Sequence, residues 1–246
     1  MPTSSEPALR CEGISKTYTL GEDFSLQKTL TSMVGRGQNG GDFYALNEVS
    51  FEVGRGEVFG IVGSNGSGKS TLTQIISGIA VPQAGTATVW GSVLPLLEVG
   101  AGFHPELTGR ENVALLGAVL GLTSQQVQAA LPKIMTFSGV ETHLETPLKR
   151  YSSGMQARLS FGIAVSFPAD VYIFDEILAV VDDDFREKCA VELRRLHAEG
   201  RTIIFMSHDL TLVSSICTTG MWLDKGIVKV VGPMDEVAAA YSASTA

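Results

Sequence analysis

The residues most able to do chemistry form a short glycine-rich run that ends in a lysine and a serine. They are Gly63, Ser64, Asn65, Gly66, Ser67, Gly68, Lys69 and Ser70, followed by Thr71. Glycines at this spacing let backbone N–H groups converge on phosphate oxygens at the start of a helix. We expect Lys69 to neutralise the β- and γ-phosphates of a nucleotide, Ser70 to ligate Mg²⁺ and Thr71 to bond to the phosphates. A chance glycine-rich turn is the alternative.

Two acids at the end of an apolar run form a second candidate group. The run Val171–Phe174 predicts a buried strand, and Asp175 and Glu176 follow it. Open α/β sheets bind ligands at the carboxyl ends of their strands, so Asp175 is expected to hold Mg²⁺ through water. Because side chains alternate along a strand, Glu176 points elsewhere, which suits it to polarise the attacking water. The alternative is a pair of acids that caps the following helix.

A histidine follows another apolar strand. The strand Ile203–Met206 leads into Ser207, His208 and Asp209, so His208 also emerges at the ligand end of the predicted sheet. A neutral imidazole can donate to a phosphate and accept from another group. We therefore expect His208 to sense the γ-phosphate, with a purely structural histidine as the alternative.

A loop of small residues, Tyr151–Gln156, opens a predicted helix just upstream of the Val171–Phe174 strand. A phosphate-binding loop alone is shared by many kinds of nucleotide enzyme. A Ser/Gly loop at a helix start, upstream of a strand that ends in Asp-Glu, is found in a much smaller set of nucleotide enzymes. It indicates an ATPase that works as a pair of subunits.

The elements that must position these motifs follow an α/β pattern with a helical block in the middle of the chain. Apolar and β-branched runs predict strands at Ala8–Ile14, Tyr44–Val53, Val58–Val62, within Gln83–Leu97, and at Val171–Phe174, Thr202–Met206 and Met221–Leu223. Helical spacing and start signals predict helices at Leu72–Ile79, Glu111–Leu120, Ser124–Ser138, Ser153–Ser166, Asp182–Glu199 and Asp235–Tyr241. The polar insert Thr19–Asp42 contains apolar residues at helical spacing, which favours a short amphipathic surface helix.

Composition restricts the class of protein. A chain of 246 residues with 44% hydrophobic and 18% charged residues can bury a full core, and it contains no uninterrupted apolar run of bilayer length. The net charge of −8 repels nucleic acid backbones and anionic lipid surfaces. Three widely spaced cysteines without a Cys-x-x-Cys pattern favour reduced, buried thiols in a cytoplasmic compartment, and no signal peptide is evident.

The order of these motifs resembles the nucleotide-binding subunit of an ATP-binding cassette (ABC) transporter, and the resemblance covers nearly the whole chain. Residues 98–112 and 175–182 are similar to exporters of lipid-linked polysaccharides, including O-antigen, capsule-type and teichoic acid systems. The resemblance implies a P-loop NTPase (RecA-like) core with an antiparallel β subdomain and an inserted α-helical subdomain. Residues 1–246 would form one ATP-binding domain, with the core and β subdomain at 1–103 and 167–246 and the helical subdomain at 104–166.

The resemblance also implies residue roles. Tyr18 matches the aromatic residue that stacks on adenine, with an ordinary strand-end tyrosine as the alternative. The signature loop contacts the γ-phosphate of ATP held by the other subunit of a homodimer, and it matches Ser152, Ser153, Gly154 and Met155. Residues 178–182 match the loop that crosses the dimer interface.

The sequence departs from the general family pattern at three places. Glu98 stands nearest to the glutamine that usually contacts the metal. The signature has Ser153 and Met155 where most members have glycine and glutamine, a form shared with the polysaccharide exporters. Val181 stands where those exporters usually have glycine, which stiffens the interface loop.

The function implied is export driven by ATP and Mg²⁺. The ATPase would dock on two integral-membrane permease subunits at the cytoplasmic face of the cell membrane, and the lipid-linked glycopolymer would be handled through the permease. The expected end of the chain without a carbohydrate-binding domain, together with the Thr19–Asp42 insert, favours teichoic acid, with O-antigen or capsular polysaccharide as alternatives.

Two other classes of protein are possible alternatives, namely a soluble ABC ATPase acting on ribosomes or DNA and a small-molecule kinase. The acidic charge disfavours a nucleic acid partner, and a kinase has no use for a signature loop.

Overall fold

The computed structural model describes residues 6–19, 42–96, 102–175 and 181–245, which form α/β structure. Short 3₁₀ turns at Glu141–His143 and Leu148–Arg150 lie between the helices Ser124–Ser138 and Ser153–Ala164. The elements follow in the order β1 (Leu9–Thr19), β2 (Asp42–Val53), β3 (Val58–Val62), α1 (Lys69–Ile76), β4 (Ala84–Val89), β5 (Val93–Leu96), α2 (Gly109–Val119), α3 (Ser124–Ser138), α4 (Ser153–Ala164), β6 (Val171–Asp175), α5 (Asp183–Ala198), β7 (Thr202–Ser207), α6 (Leu210–Ile216), β8 (Thr219–Asp224), β9 (Ile227–Pro233) and α7 (Met234–Thr245).

The chain divides into two compact units, one formed by residues 1–90 and 205–246 and the other by residues 91–204. The division predicted from the resemblance, with a helical subdomain at 104–166, stays a prediction. The insert Thr19–Asp42 lies almost wholly outside the described residues, as do Glu98 and Glu176.

An antiparallel sheet of strand order β2-β1-β4 forms one part of the first unit. Its buried residues alternate along β1, at Leu9, Cys11 and Ile14, with a register shift between Cys11 and Ile14. Phe51 of β2 stacks on Phe59 of β3 with ring centroids 5.7 Å apart, which joins this sheet to the next strand. The antiparallel β layer predicted from the resemblance is therefore present.

The other part of the first unit is organised around β3, whose five residues are all buried. A continuous apolar strand of this kind is typical of a sheet covered on both faces. β3 pairs in parallel with β8, and β8 pairs antiparallel with β9. The sequence analysis did not identify β9 or α6, because β9 alternates between exposed and half-buried residues and α6 spans fewer than two full helical turns.

The second unit combines the parallel strand pair β5 and β6 with helices α2 to α5. Capping boxes begin α2 at Thr108 and α3 at Thr123, each of which accepts from a backbone N–H three residues later. Phe161 of α4 stacks on Phe174 of β6 at 5.1 Å and on Phe137 of α3 at 5.8 Å. These rings hold the signature helix α4 against both a strand and a neighbouring helix.

The cysteines are buried and free, which confirms their interpretation as small apolar residues. Burial raises the pKa of the Cys11 and Cys217 thiols to about 12. Burial also raises the pKa of the Cys189 thiol. At neutral pH all three are therefore protonated and poorly nucleophilic.

Candidate functional site

The predicted phosphate loop connects β3 directly to α1, and its geometry requires glycine at two positions. A Cβ atom at Gly63 would lie 2.3 Å from the Leu223 carbonyl oxygen. Gly68 has φ 108°, and a Cβ atom there would lie 2.4 Å from the Ala45 carbonyl oxygen. The backbone of the loop is therefore shaped by close approach of neighbouring strands, which larger residues would prevent.

Lys69 is the first residue of α1 and is 5% exposed. Its ammonium group donates to the carbonyl oxygens of Gly63 at 2.8 Å and Ser64 at 3.1 Å. Both bonds are charge-assisted, so the positive charge is fixed beside the loop rather than spread into solvent. The Lys69 ammonium therefore lies beside the predicted phosphate loop, and its role toward a phosphate stays a prediction.

The residues at the start of α1 fit a phosphate group. Among the described residues no side chain caps this helix, whose N-cap is Gly68, and no acidic residue lies in its first turn. Ser70 is exposed and Thr71 is half-buried, while Ser64, Asn65 and Gly66 are exposed. The Ser67 hydroxyl is buried and has no hydrogen-bond partner within the described part of the chain. An uncapped helix start beside a fixed cation favours an anion.

A support for this loop that the sequence analysis missed is the turn between β8 and β9. The Gly226 N–H donates to the Ser67 carbonyl at 2.8 Å, and the Gly226 carbonyl accepts from the Asn47 N–H at 2.8 Å. Lys225 and Gly226 both have positive φ, as a two-residue hairpin turn of type I′ requires. The signal available in the sequence was Lys225-Gly226 between two alternating apolar runs.

Strand β2 also contributes to the loop through a bulge. The pairing of β1 with β2 shifts from Lys16 opposite Leu46 to Thr17 opposite Tyr44, which leaves Ala45 as an extra residue in β2. The Ala45 carbonyl is the atom that approaches Gly68 most closely. Tyr18, at the far end of β1, is half-buried and lies in this same unit.

His208 lies directly after β7 and is exposed. Its neighbours fix the backbone on both sides, since the Asp209 N–H donates to the Ser207 hydroxyl at 3.0 Å and the Asp209 carboxylate accepts from the Leu212 N–H at 3.1 Å. Asp209 is thereby the N-cap of α6. The turn presents the imidazole at the end of the strand, as predicted, in the unit that also contains the phosphate loop.

Asp175 is the last residue of β6 in the second unit, and it is 5% exposed. A carboxylate at such a depth is costly unless other groups interact with it, and Asp175 does take part in such interactions. The strand position predicted from the sequence is therefore observed. Glu176, the predicted base, and Glu98, the predicted loop acid, lie outside the described residues.

The signature loop lies at the start of α4 in the same unit. Ser152 is the N-cap, and its hydroxyl accepts from the Met155 N–H at 3.2 Å. Ser152 and Ser153 are exposed, whereas Gly154 and Met155 are partly buried. The preceding Tyr151 is buried, and its hydroxyl donates to the His143 carbonyl at 2.7 Å. The loop is therefore anchored on its tyrosine and presents its serines outward.

An ion pair joins α4 to the start of α5. Arg158 bonds to the Asp182 carboxylate and lies over the Phe185 ring at 5.3 Å. Asp182 is also the N-cap of α5, accepting from the Phe185 N–H at 2.9 Å. That N–H, followed by the Arg158 guanidinium, lowers the pKa of Asp182. The segment that follows the undescribed residues 176–180 is thus fixed to the signature helix.

Within the described residues no group of three or more histidines, cysteines or acids is placed to hold a metal ion. Ser70 and Asp175, the two described residues predicted to hold Mg²⁺, carry a hydroxyl and a carboxylate, which are oxygen ligands of the type that Mg²⁺ prefers, and that role stays a prediction. No helix in the described ranges is both long and apolar enough to cross a bilayer.

Comparison with known protein families gives a match over more than half of the chain. The family model described as ABC transporter matches residues 46–179. A teichoic acids export ATP-binding protein from Bacillus anthracis is 39% identical over 95% of this chain, which spans 42% of that protein. An O-antigen export system ATP-binding protein from Klebsiella pneumoniae is 37% identical over 98% of this chain and 100% of its own length. The chain therefore covers the whole of one such relative and less than half of the other.

Solved structures with the same fold agree with the sequence-based fold class. The ATP-binding subunit of an ABC transporter superposes with a TM-score of 0.77 at 22% identity, covering 97% of this chain and 95% of that one. A dimeric ATP-binding cassette in a post-hydrolysis state, bound to ADP and Pi, gives a TM-score of 0.76 at 20% identity and covers 92% and 98% of the two chains. The predicted fold class is confirmed.

Proposed function

Because the chain belongs to the ABC transporter family, we propose that it is the ATP-hydrolysing subunit of an exporter for a lipid-linked cell-surface glycopolymer. The observation that carries the proposal is the phosphate loop, which combines two obligatory glycines with a lysine fixed at the start of α1. This arrangement suits the triphosphate of a nucleotide, and ATP hydrolysis would supply the free energy for export.

In the proposed reaction, a water oxygen forms a bond to the γ-phosphorus of ATP while the bond from that phosphorus to the bridging oxygen of ADP breaks. Lys69 offsets the negative charge of the phosphates during this step. Glu176 follows Asp175 directly in the sequence and accepts the proton of the attacking water. His208 donates to the γ-phosphate from the turn after β7.

Ser70 and Asp175 would hold Mg²⁺, with Glu98 as a further candidate. When bound, the ion would neutralise part of the charge on the phosphate oxygens. Thr71 would add a bond to the phosphates from the first turn of α1, and Tyr18 would stack on the adenine ring.

Two copies of the chain would form the working unit. The signature loop of one copy would contact the γ-phosphate bound by Lys69 of the other, so each active site would take residues from both. The exposure of Ser152 and Ser153 at the start of α4 supports this role, because a partner could reach them. ATP would close the pair, and hydrolysis would reopen it and move two permease subunits docked at the cytoplasmic face of the cell membrane.

Teichoic acid is the main candidate for the exported polymer, and O-antigen or capsular polysaccharide is the alternative. The Bacillus anthracis relative, named for teichoic acid export, supports the first. The Klebsiella pneumoniae relative, named for O-antigen export and covered over its full length, supports the second.

Replacement of the proposed base tests the reaction. Glu176→Gln should leave ATP affinity unchanged and reduce turnover by at least about a hundredfold, because general-base catalysis is worth roughly 10²–10⁴ in rate. ATP titration and phosphate release would be measured on the same preparation, with Lys69→Ala as the variant that loses nucleotide binding itself. Normal hydrolysis by Glu176→Gln would remove Glu176 from this role.

The cargo is tested with the ATPase co-reconstituted with its permease in lipid vesicles. A lipid-linked polyol-phosphate polymer and a lipid-linked neutral polysaccharide would be added separately. Stimulation of ATP hydrolysis by the first alone supports teichoic acid, whereas stimulation by the second alone overturns it in favour of the alternative.

A further inference from the structure

The end of β1 that carries Tyr18 extends past the start of β4. Ser15 pairs with Ala84, the first residue of β4, so the next residues of β1 lie beyond that strand. A strand end without a ladder on one side usually frays, because its backbone groups bond to water instead. Here, one side chain, that of Gln83, replaces the missing strand.

Gln83 takes the place of a strand residue opposite Thr17. Its carboxamide oxygen accepts from the Thr17 N–H, and its NH₂ group donates to the Thr17 carbonyl at 3.1 Å and to the Thr17 hydroxyl at 2.6 Å. The Gln83 backbone N–H also donates to the Ser15 carbonyl at 2.9 Å. One side chain thus satisfies both backbone groups of the residue before Tyr18, as a neighbouring peptide would.

Lys16 lies on the same side of β1 as Tyr18, two residues away. Its ammonium donates to the Val81 carbonyl at 3.0 Å and lies 5.4 Å from the centroid of the Tyr18 ring. The hydrogen bond fixes the charge in place, and the charge attracts the electron-rich face of the ring. The ring is therefore held on one face by Lys16.

We propose that Lys16 and Gln83 are positioning residues that hold Tyr18 as a stacking platform for the purine base of the nucleotide. The proposal rests on the proposed function, since it assumes that the phosphate loop binds ATP. Tyr18 is half-buried, so part of its ring stays accessible to a base. A base that stacks on a ring already fixed in orientation loses less entropy on binding than one that meets a mobile ring.

The β2 bulge relates this platform to the phosphate loop. Ala45 is the extra residue at the register shift between Lys16 and Thr17, and its carbonyl approaches Gly68. The strand end with the tyrosine and the loop with the lysine are therefore both built against one residue of β2. This shared contact with β2 fixes the distance between the tyrosine, where the base would stack, and the loop, where the phosphates would bind.

The test compares two ligands on the full-length protein, ATP and inorganic tripolyphosphate, each with Mg²⁺. Calorimetric titration would be applied to Lys16→Met, Gln83→Leu, Tyr18→Leu and the double variant Lys16→Met/Tyr18→Leu. Arg55→Met, which removes one positive charge from an exposed turn, is the matched control.

We expect Tyr18→Leu to weaken ATP binding about tenfold, because the variant loses the stacking of the base on an aromatic ring. Lys16→Met and Gln83→Leu should each weaken ATP binding about threefold, and the double variant should bind ATP no more weakly than Tyr18→Leu. Tripolyphosphate affinity should stay unchanged in all of them, since that ligand has no base.

Equal loss for both ligands in Lys16→Met would overturn the proposal, because Lys16 would then act on phosphate charge or on folding. Unchanged ATP affinity in Tyr18→Leu, or additive losses in the double variant, would also overturn it. These results leave the proposed function intact. Failure of the unaltered protein to bind either ligand would instead contradict the proposed function.

Discussion

The phosphate loop and the signature loop are both short runs of small residues at the start of a helix, yet they are held in different ways. The phosphate loop is shaped by segments far away in the sequence, namely the Ala45 carbonyl, the Leu223 carbonyl and the Gly226 N–H. The signature loop is shaped by near neighbours, with Ser152 capping its own helix and Tyr151 bonding to the His143 carbonyl.

Whether a loop is held by distant or by local contacts decides how its shape depends on the folding of the rest of the unit. A loop built from distant contacts has its shape only when the surrounding unit is folded, so its ligand geometry and the stability of the unit are coupled. A loop built from local contacts keeps its shape as long as its helix persists. Damage to the phosphate loop should therefore lower both ATP binding and stability, whereas damage to the signature loop should lower stability by a smaller amount and leave the binding of ATP to the isolated chain unchanged.

The largest expected effect is that of Gly68→Ala. The new Cβ atom would lie 2.4 Å from the Ala45 carbonyl oxygen at φ 108°, so both overpacking and backbone strain apply. We expect a loss of about 3 kcal/mol or more in the free energy of unfolding, together with loss of ATP binding. Urea denaturation and ATP titration measure the two effects.

Gly78→Ala is the matched control, because Gly78 lies just after the same helix with φ 72° but has no atom within 4 Å of the added Cβ. It should cost about 1 kcal/mol from backbone strain and leave ATP affinity unchanged. If both variants lost stability and binding equally, close approach of distant strands would not be what shapes the phosphate loop.

A smaller effect is expected for Tyr151→Phe at the signature loop. The variant loses the 2.7 Å bond from the tyrosine hydroxyl to the His143 carbonyl while keeping the buried ring. We expect the free energy of unfolding to fall by about 1 kcal/mol. The ATP dissociation constant of the isolated chain should not change, and a shift of more than twofold would contradict the separation of the two loops.

The smallest expected effect concerns the pH dependence that Asp182 contributes. Its pKa is lowered in the folded state, first by the Phe185 N–H and then by Arg158. A lowered pKa means that the stabilisation is present above the ordinary aspartate pKa of about 3.9 and is lost as the pH falls through the folded value.

Asp182→Asn keeps a capping oxygen but removes the charge. The difference in urea midpoint between the two proteins should therefore be present at neutral pH and disappear as the pH falls below the ordinary aspartate pKa of about 3.9 and through the lowered folded value. It should also shrink in high salt, because the pair is exposed. A difference that is independent of pH would show that the cap, rather than the charge, holds α5 to the signature helix.

Much of the fold was predictable because the responsible signals are local. The boundaries of β3 and α3 were predicted to the residue, since a five-residue apolar run and a Thr123 capping box mark them unambiguously. Helix α1 begins at Lys69, three residues before the predicted start at Leu72. The prediction was based on apolar periodicity, which begins at Leu72, whereas the backbone is already helical from Lys69.

The places of three candidate residues in the secondary structure were predictable, whereas their roles in a nucleotide site stay predictions and their supports were not foreseen. Lys69, Asp175 and His208 lie where their motifs indicated. The Ala45 bulge could not be predicted, and neither could the contact of the Gly226 turn with the loop, because neither contact leaves a mark near residues 63–70. Lys225-Gly226 marks the turn itself but does not indicate that the turn bonds to Ser67. Non-local contacts of backbone atoms depend on which strands become neighbours, and one sequence does not reveal that.

The contact between Gly226 and Ser67 also has a consequence for the order of events during protein synthesis. Translation proceeds from the amino terminus, so residues 63–70 leave the ribosome long before β8 and β9 are made. Until then the Ser67 carbonyl has no Gly226 N–H to accept from, and the Leu223 carbonyl is not there to shape the backbone at Gly63. The loop thus reaches its native form late in the biogenesis of the chain, and a nascent fragment that ends before β9 would emerge without a competent nucleotide site.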